Sequence, residues 1–204
     1  EKDNYPVLKE VSLQINKGDY VAITGTSGCG KSTLLKLLMG IYEPKKGTIE
    51  VLLEEDRTMP VMDLKRLFAY VPQGNYLMSG TIRDVITFGK KHKREGQDMT
   101  VEKALELACG EFVFELPDGL DTQLGEKGAG LSEGQMQRIA IARALYTEAP
   151  VLIMDEATSA LDSVTEIALL QNLKQLKDKT VFIVTHRPEA LRICNCKVEF
   201  TENE

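Results

Sequence analysis

The stretch Tyr20-Val21-Ala22-Ile23-Thr24-Gly25-Thr26-Ser27-Gly28-Cys29-Gly30-Lys31-Ser32-Thr33 decides how this chain folds. Its first five residues are rich in β-formers. A glycine-rich loop follows. From Thr33 the run Leu34-Leu35-Lys36-Leu37-Leu38-Met39 reads as a helix, which Gly40 stops. Strand, loop and helix in that order aim the loop amides and the helix N-terminus at one point, and that point attracts an anion. Gly25 and Gly30 let the backbone curl around a chain of phosphates. Lys31 is placed to reach the β- and γ-phosphates, and the Ser32 hydroxyl is placed to bind Mg²⁺. The expected nucleotide cradle is therefore Thr26, Ser27, Gly28, Cys29, Gly30, Lys31, Ser32 and Thr33.

A second stretch supports the first. Val151-Leu152-Ile153-Met154-Asp155-Glu156 is a continuous apolar run that ends in two acids. Such a run suits a buried parallel strand. It sets Asp155 at the C-terminal edge of the sheet, where open parallel sheets bind ligands. Asp155 is expected to hold Mg²⁺, mainly through water. Glu156 is expected to orient or deprotonate an attacking water.

Composition fits this reading. The chain has 204 residues, 43% hydrophobic and 27% charged, with a formal net charge of -6. That length buries a sizeable core without disulfides or metals, and the acidic balance argues against a nucleic-acid partner. Cys29, Cys109, Cys194 and Cys196 are scattered and lack zinc-ligand spacing. They read as reduced thiols, with Cys194 and Cys196 expected on one face of a strand. No apolar run reaches the roughly 20 residues that a membrane span takes. Glu1 is not an initiator methionine, so the chain is expected to begin in mid-protein.

Alternation over residues 7–15 predicts a half-buried strand. Strands are also expected at Thr48-Ile49-Glu50-Val51-Leu52, at Phe68-Ala69-Tyr70-Val71 and over residues 180–185. Residues 81–145 are mostly helical in pattern, with Thr100 as an N-cap and Val101, Ala104, Leu105 and Ala108 on one face. Residues 164–176 form an amphipathic helix pattern. Lys90 to Arg94 reads as a solvated basic loop.

Leu131-Ser132-Glu133-Gly134-Gln135 lies just ahead of the acidic strand. With the loop and that strand, it resembles the nucleotide-binding domain of an ATP-binding cassette (ABC) transporter, over nearly the whole chain. The resemblance implies a P-loop NTPase sheet flanked by helices, with an N-terminal antiparallel β part and an inserted helical subdomain. It divides the chain into an ATP-binding core, 1–73 and 146–204, and a helical signature subdomain, 74–145. Tyr70-Val71-Pro72-Gln73 is similar to the Q-loop, whose Gln73 reaches the metal and the attacking water. His186 matches the switch histidine at the γ-phosphate, and Ser159-Ala160-Leu161-Asp162 matches the D-loop. Ser132, Gly134, Gln135 and Asp162 then serve ATP at the interface of two copies paired head to tail. Catalysis falls to Glu156, Gln73 and His186, and the metal to Ser32, Gln73 and Asp155.

Two further stretches resemble the exporter branch: Ser79-Gly80-Thr81-Ile82-Arg83-Asp84-Val85, and the X-loop Thr122-Gln123-Leu124-Gly125-Glu126-Lys127-Gly128. They imply attached transmembrane domains, a second ATPase domain as partner, and a place on the cytoplasmic face of the cell membrane. Two departures stand out. Glu133 replaces the usual signature Gly, and Tyr5 is the only early aromatic for adenine, closer to residues 7–9 than the family places it. The alternative is a soluble ABC ATPase acting in translation or DNA repair. No heptad run for a coiled coil supports the repair type, and the chain holds one cassette where translation types carry two. A GTPase would need an Asn-Lys-x-Asp motif, which is absent, and a small-molecule kinase would not need residues 131–135. A degenerate regulatory cassette is weakened by Lys31, Asp155, Glu156 and His186.

Overall fold

The computed structural model describes residues 7–53, 57–74, 79–87, 99–125, 130–176 and 179–200. Tyr5, the basic run at Lys90 to Arg94 and residues 126–128 of the X-loop lie outside them.

A five-stranded sheet forms the centre. Its strands are β1 (Tyr20–Gly25), β4 (Phe68–Val71), β7 (Val151–Asp155), β8 (Thr180–Val184) and β9 (Cys196–Phe200), in the order β4-β7-β8-β1-β9 and all parallel. Side chains alternate across it, as the pleat demands. Leu152, Met154, Val181 and Ile183 enter one apolar cluster. Val21, Ile23, Ile153, Phe182 and Val184 enter another on the opposite face. Helix α1 (Lys31–Leu38) covers the second face with Leu34 and Leu35. Helix α5 (Ser163–Lys174) covers the first with Leu169, Leu170 and Leu173. Both sides of β1, β7 and β8 are buried, so these three strands read as continuous apolar runs.

Among the described residues, antiparallel pairing is confined to short pieces: β2 (Glu50–Leu52) with β3 (Thr58–Pro60), and β5 (Gly80–Thr81) with β6 (Gln123–Leu124). Residues 7–15 form no strand, contrary to the alternation. Val7, Val11 and Leu13 stay exposed while Leu8 and Ile15 pack on the second cluster. Alternation gives a strand one apolar face, but a strand also needs a neighbour's N–H and C=O groups. No ladder pairs this segment among the described residues.

The helical region holds α2 (Ile82–Thr87), α3 (Val101–Leu107) and α4 (Glu133–Tyr146). Thr100 caps α3, its hydroxyl accepting from the Lys103 amide at 3.1 Å. Helix α4 packs against α2 and α3 and over β4, burying Ile139, Ile141 and Leu145 completely. Each such side chain contributes roughly 1.5–3 kcal/mol on leaving water. Cys194 and Cys196 do not share a strand: Cys194 ends helix α6 (Pro188–Ile193), and its thiol donates to the Ala190 carbonyl at 3.2 Å. Burial pushes that thiol up to about 11. Pro188 starts α6, so the local helix signal overrides the alternation.

Candidate functional site

Parallel order puts four strand ends on one edge. Register sets Val71 beside Met154, Asp155 beside Val184, and Val184 beside Ile23. The residues just past those ends, Gln73, Glu156, His186 and the glycine-rich loop, must therefore converge. They line a cleft of about 230 Å³ with Ser27, Gly28, Gly30, Lys31, Ser32, Thr33 and Asp155.

The loop turns at Gly25 and Gly30, both at positive φ, 141° and 107°. A Cβ at Gly25 would lie 2.8 Å from Cys29 Sγ. The cysteine sulfur therefore tucks against Gly25, and Cys29 is not among the residues lining the cleft. Lys31 Nζ curls back, donating to the carbonyls of Gly25 at 2.6 Å and Thr26 at 2.7 Å. Thr26 faces a neighbouring groove shared with His186.

At the acidic end, Asp155 is 8% exposed. Burial pushes its carboxyl above the usual range and the charge of Glu156 adds to this, while the Tyr70 hydrogen bond and Lys31 oppose it. Tyr70 Oη donates to Asp155 Oδ2 at 3.1 Å. Gln73 Nε2 donates to Glu156 Oε2 at 2.6 Å, which joins the Q-loop position to the expected base. Glu156 itself sits at φ 50°, a left-handed conformation rare for a residue with a Cβ. His186 is exposed at the mouth.

Asp155 is a buried carboxylate at the cleft, and a cation beside it would offset the charge that burial penalises. Its oxygen and the Ser32 hydroxyl are the hard donors Mg²⁺ prefers. Among the described residues no group of three or more His, Cys, Asp or Glu is placed to hold a metal alone. A metal here would need its remaining ligands from phosphates or water, and the residues present fit Mg²⁺ on those terms.

Ser132, Gly134, Gln135 and Asp162 do not line this cleft. Ser132 and Gln135 are engaged in a capping box at the start of α4, with Ser132 N to Gln135 Oε1 at 2.8 Å and Gln135 N to Ser132 Oγ at 3.2 Å. Asp162 caps α5, accepting from the amides of Val164 and Thr165 at 3.0 Å. Sequence reasoning gave Tyr70 no role at Asp155. It also passed over Gln137, Glu166 and Arg187, which are tied to the loop between Glu156 and Asp162. An aromatic one residue before the end of a strand was the one available signal for Tyr70.

A glycine-rich loop at one strand end, beside an acid pair at another, defines a P-loop nucleoside-triphosphatase domain. The model of the ABC transporter family matches residues 8–159. The chain belongs to that family and is its ATP-binding, ATP-hydrolysing domain. It is 45% identical over 184 residues, 89% of its length, to the ATP-dependent lipid A-core flippase of Vibrio parahaemolyticus. It is 42% identical over 194 residues, 94% of its length, to ABC transporter B family member 29, chloroplastic, of Arabidopsis thaliana. A bacterial Atm1-family ABC exporter solved with ATP bound superposes on the whole chain with a TM-score of 0.84 at 32% identity. The chain spans about a third of these proteins, 31%, 30% and 36% of their lengths. No helix among its described residues is long and apolar enough to cross a membrane.

Proposed function

We propose that this domain powers an ABC exporter by closing on a second ATPase domain around ATP and reopening after hydrolysis. The observation that carries this is a division within the chain. Ser27, Gly28, Gly30 to Thr33, Gln73, Asp155, Glu156 and His186 line one cleft, while the signature residues Ser132, Gly134 and Gln135 and the cap Asp162 lie outside it. A second copy, turned head to tail, brings its signature to this nucleotide and completes the site. We take 1–73 and 146–204 as the core and 74–145 as the signature subdomain.

In this reading Lys31 leaves the carbonyls of Gly25 and Thr26 for the β- and γ-phosphates. Glu156, oriented by Gln73, takes a proton from the attacking water. Water oxygen bonds to the γ-phosphorus as the bond to the β–γ bridging oxygen breaks, giving ADP and phosphate. His186 contacts the γ-phosphate. Ser32, Gln73 and Asp155 would hold Mg²⁺, which when bound would supply charge neutralisation. Attached transmembrane domains respond through the Gln73 and Gly125 regions, on the cytoplasmic face of the membrane.

Glu156→Gln tests this directly. A carboxamide keeps the shape and takes no proton. Turnover should fall at least 100-fold while ATP binding stays within twofold, and size exclusion with Mg-ATP should show a stable dimer. Hydrolysis at the wild-type rate would remove Glu156 as the base. A monomer at every ATP concentration would remove the head-to-tail pairing.

A further inference from the structure

Tyr70 reaches the acidic end of the cleft without being one of the residues that line it. It sits on β4, at the edge of the sheet beside β7, and the parallel register places it next to Ile153. Ala69 and Val71 turn to the first apolar cluster, while Phe68 packs on the second. Alternation therefore puts Tyr70 on the second face, with Ile153. Asp155 lies on that face too, two residues further along β7, a rise of about 6–7 Å. This is the face that α1 covers, and α1 carries Lys31 and Ser32 at its start. A short side chain at position 70 would stop beside Ile153. The tyrosine ring spans the rise, and its Oη donates to Asp155 Oδ2 at 3.1 Å.

Asp155 is 8% exposed, so an oxygen there without a donor would bear the cost of leaving water. Tyr70 offsets that cost at Oδ2. The other oxygen, Oδ1, accepts no hydrogen bond among the described residues. The phenol thus holds one oxygen of the carboxylate and leaves the second open to a cation. A tyrosine does this stiffly, since it has only two side-chain torsions to freeze. The two acids have separate supports: Glu156 takes Gln73, and Asp155 takes Tyr70.

We propose that Tyr70 is a positioning residue for the metal: its hydroxyl fixes the Asp155 carboxylate and so raises the affinity of the nucleotide-loaded site for Mg²⁺. The proposal rests on the reading above, in which Asp155 and Ser32 help to hold that ion. Tyr70 acts through Asp155 and touches none of the reacting atoms. Removing a hydrogen bond that holds a ligating carboxylate typically weakens metal binding about 10- to 100-fold.

Tyr70→Phe removes the hydroxyl and keeps the ring, so the packing against β7 stays. Mn²⁺ accepts the same oxygen ligands and serves as the probe, because electron paramagnetic resonance reads its free concentration. The chain is kept in excess over ATP, so that all nucleotide is bound. A fluorescent ATP analogue in EDTA reads nucleotide affinity without metal. Tyr70→Phe should keep that affinity within twofold and raise the Mn²⁺ dissociation constant about tenfold. The Mg²⁺ concentration for half-maximal hydrolysis should rise by a similar factor, with a smaller effect on the rate at saturation. In an Asp155→Ala background, which lacks the acceptor, the same change should move Mn²⁺ affinity less than about twofold. A Mn²⁺ dissociation constant within twofold of wild type in Tyr70→Phe would overturn the proposal, as would an equal loss in the Asp155→Ala background. A wild type that binds the analogue in EDTA, yet holds Mn²⁺ no more tightly than free ATP does, would overturn the metal reading beneath it. No binding of the analogue at all would instead overturn the nucleotide reading itself.

Discussion

Glu156 carries the sharpest conflict between stability and chemistry in this chain. It holds φ 50° with a Cβ attached. That conformation costs a non-glycine residue roughly 1–2 kcal/mol. Its charge also makes Asp155 harder to ionise. Glycine at this position relieves both, against about 0.5–1 kcal/mol of added chain entropy in the unfolded state. Relief wins by a small margin. Glu156→Gly should therefore raise stability by roughly 0.5–1 kcal/mol, about 1–4 °C in Tm for a chain of this size, while hydrolysis disappears. A lower Tm would mean that the hydrogen bond from Gln73 outweighs the strain. Strain of this kind persists where the surroundings fix it, and the Glu156 amide is fixed to Val184.

At the scale of elements, Gly134 and Asp162 make opposite demands. Alanine in place of Gly134 gains about 1 kcal/mol of helix propensity. Its Cβ would meet the Ala160 carbonyl oxygen at 2.8 Å, against backbone rather than a movable side chain. Overpacking of that sort costs about 1–3 kcal/mol. Gly134→Ala should lose about 1 kcal/mol net and 2–4 °C in Tm; a higher Tm would show that the loop yields freely. Asp162 is held below the usual carboxylate value of 3.8 by the Thr165 amide first and its hydroxyl second. A depressed folded value stabilises the fold fully above the unfolded value and is lost as pH falls through the folded one. The Tm gap between wild type and Asp162→Ala should thus be largest above about pH 4 and narrow in more acid solution. A gap that widens toward acid would reverse the sign.

Much of this element structure was legible in the sequence, and for one reason. β1, β7 and β8 are buried on both faces, so local composition and tertiary environment agree. Asp155 and Glu156 could be placed because they end such a strand, whereas Gln73 and His186 were read from the family resemblance; all four line the cleft. Residues 7–15 misled because alternation reports a face and not a ladder partner. Gln137 and Arg187 were invisible because they act mainly on backbone groups 23 to 29 residues away in sequence, where side-chain identity at the far end carries no signal.

The whole molecule, in the proposed reading, is one half of a nucleotide sandwich, and Glu133 is where the two halves disagree. Within one chain it is favourable. It opens α4 as an exposed acid in the first turn, next to the Ser132–Gln135 capping box. A negative charge there gains about 0.3–1 kcal/mol from the helix dipole, and glycine would weaken the helix further. Across the interface it is unfavourable, because the signature of one copy approaches the triphosphate of the other. Two unit charges at about 4 Å repel by roughly 4 kcal/mol at an effective dielectric of 20, and closure excludes water. Repulsion outweighs the dipole. Glu133→Gly should therefore lower the Tm of the nucleotide-free monomer, by about 1 kcal/mol in stability, and yet tighten ATP-driven dimerisation about fivefold or more, a gain of roughly 1 kcal/mol. Thermal unfolding without nucleotide reads the first effect. Sedimentation of the Glu156→Gln background with Mg-ATP reads the second. Raising the salt concentration should shrink the difference in dimerisation between Glu133 and Gly, because screened charges repel less. If the glycine variant dimerises more weakly, Glu133 is making an attractive contact across the interface, and the charge of the opposing surface there must be positive.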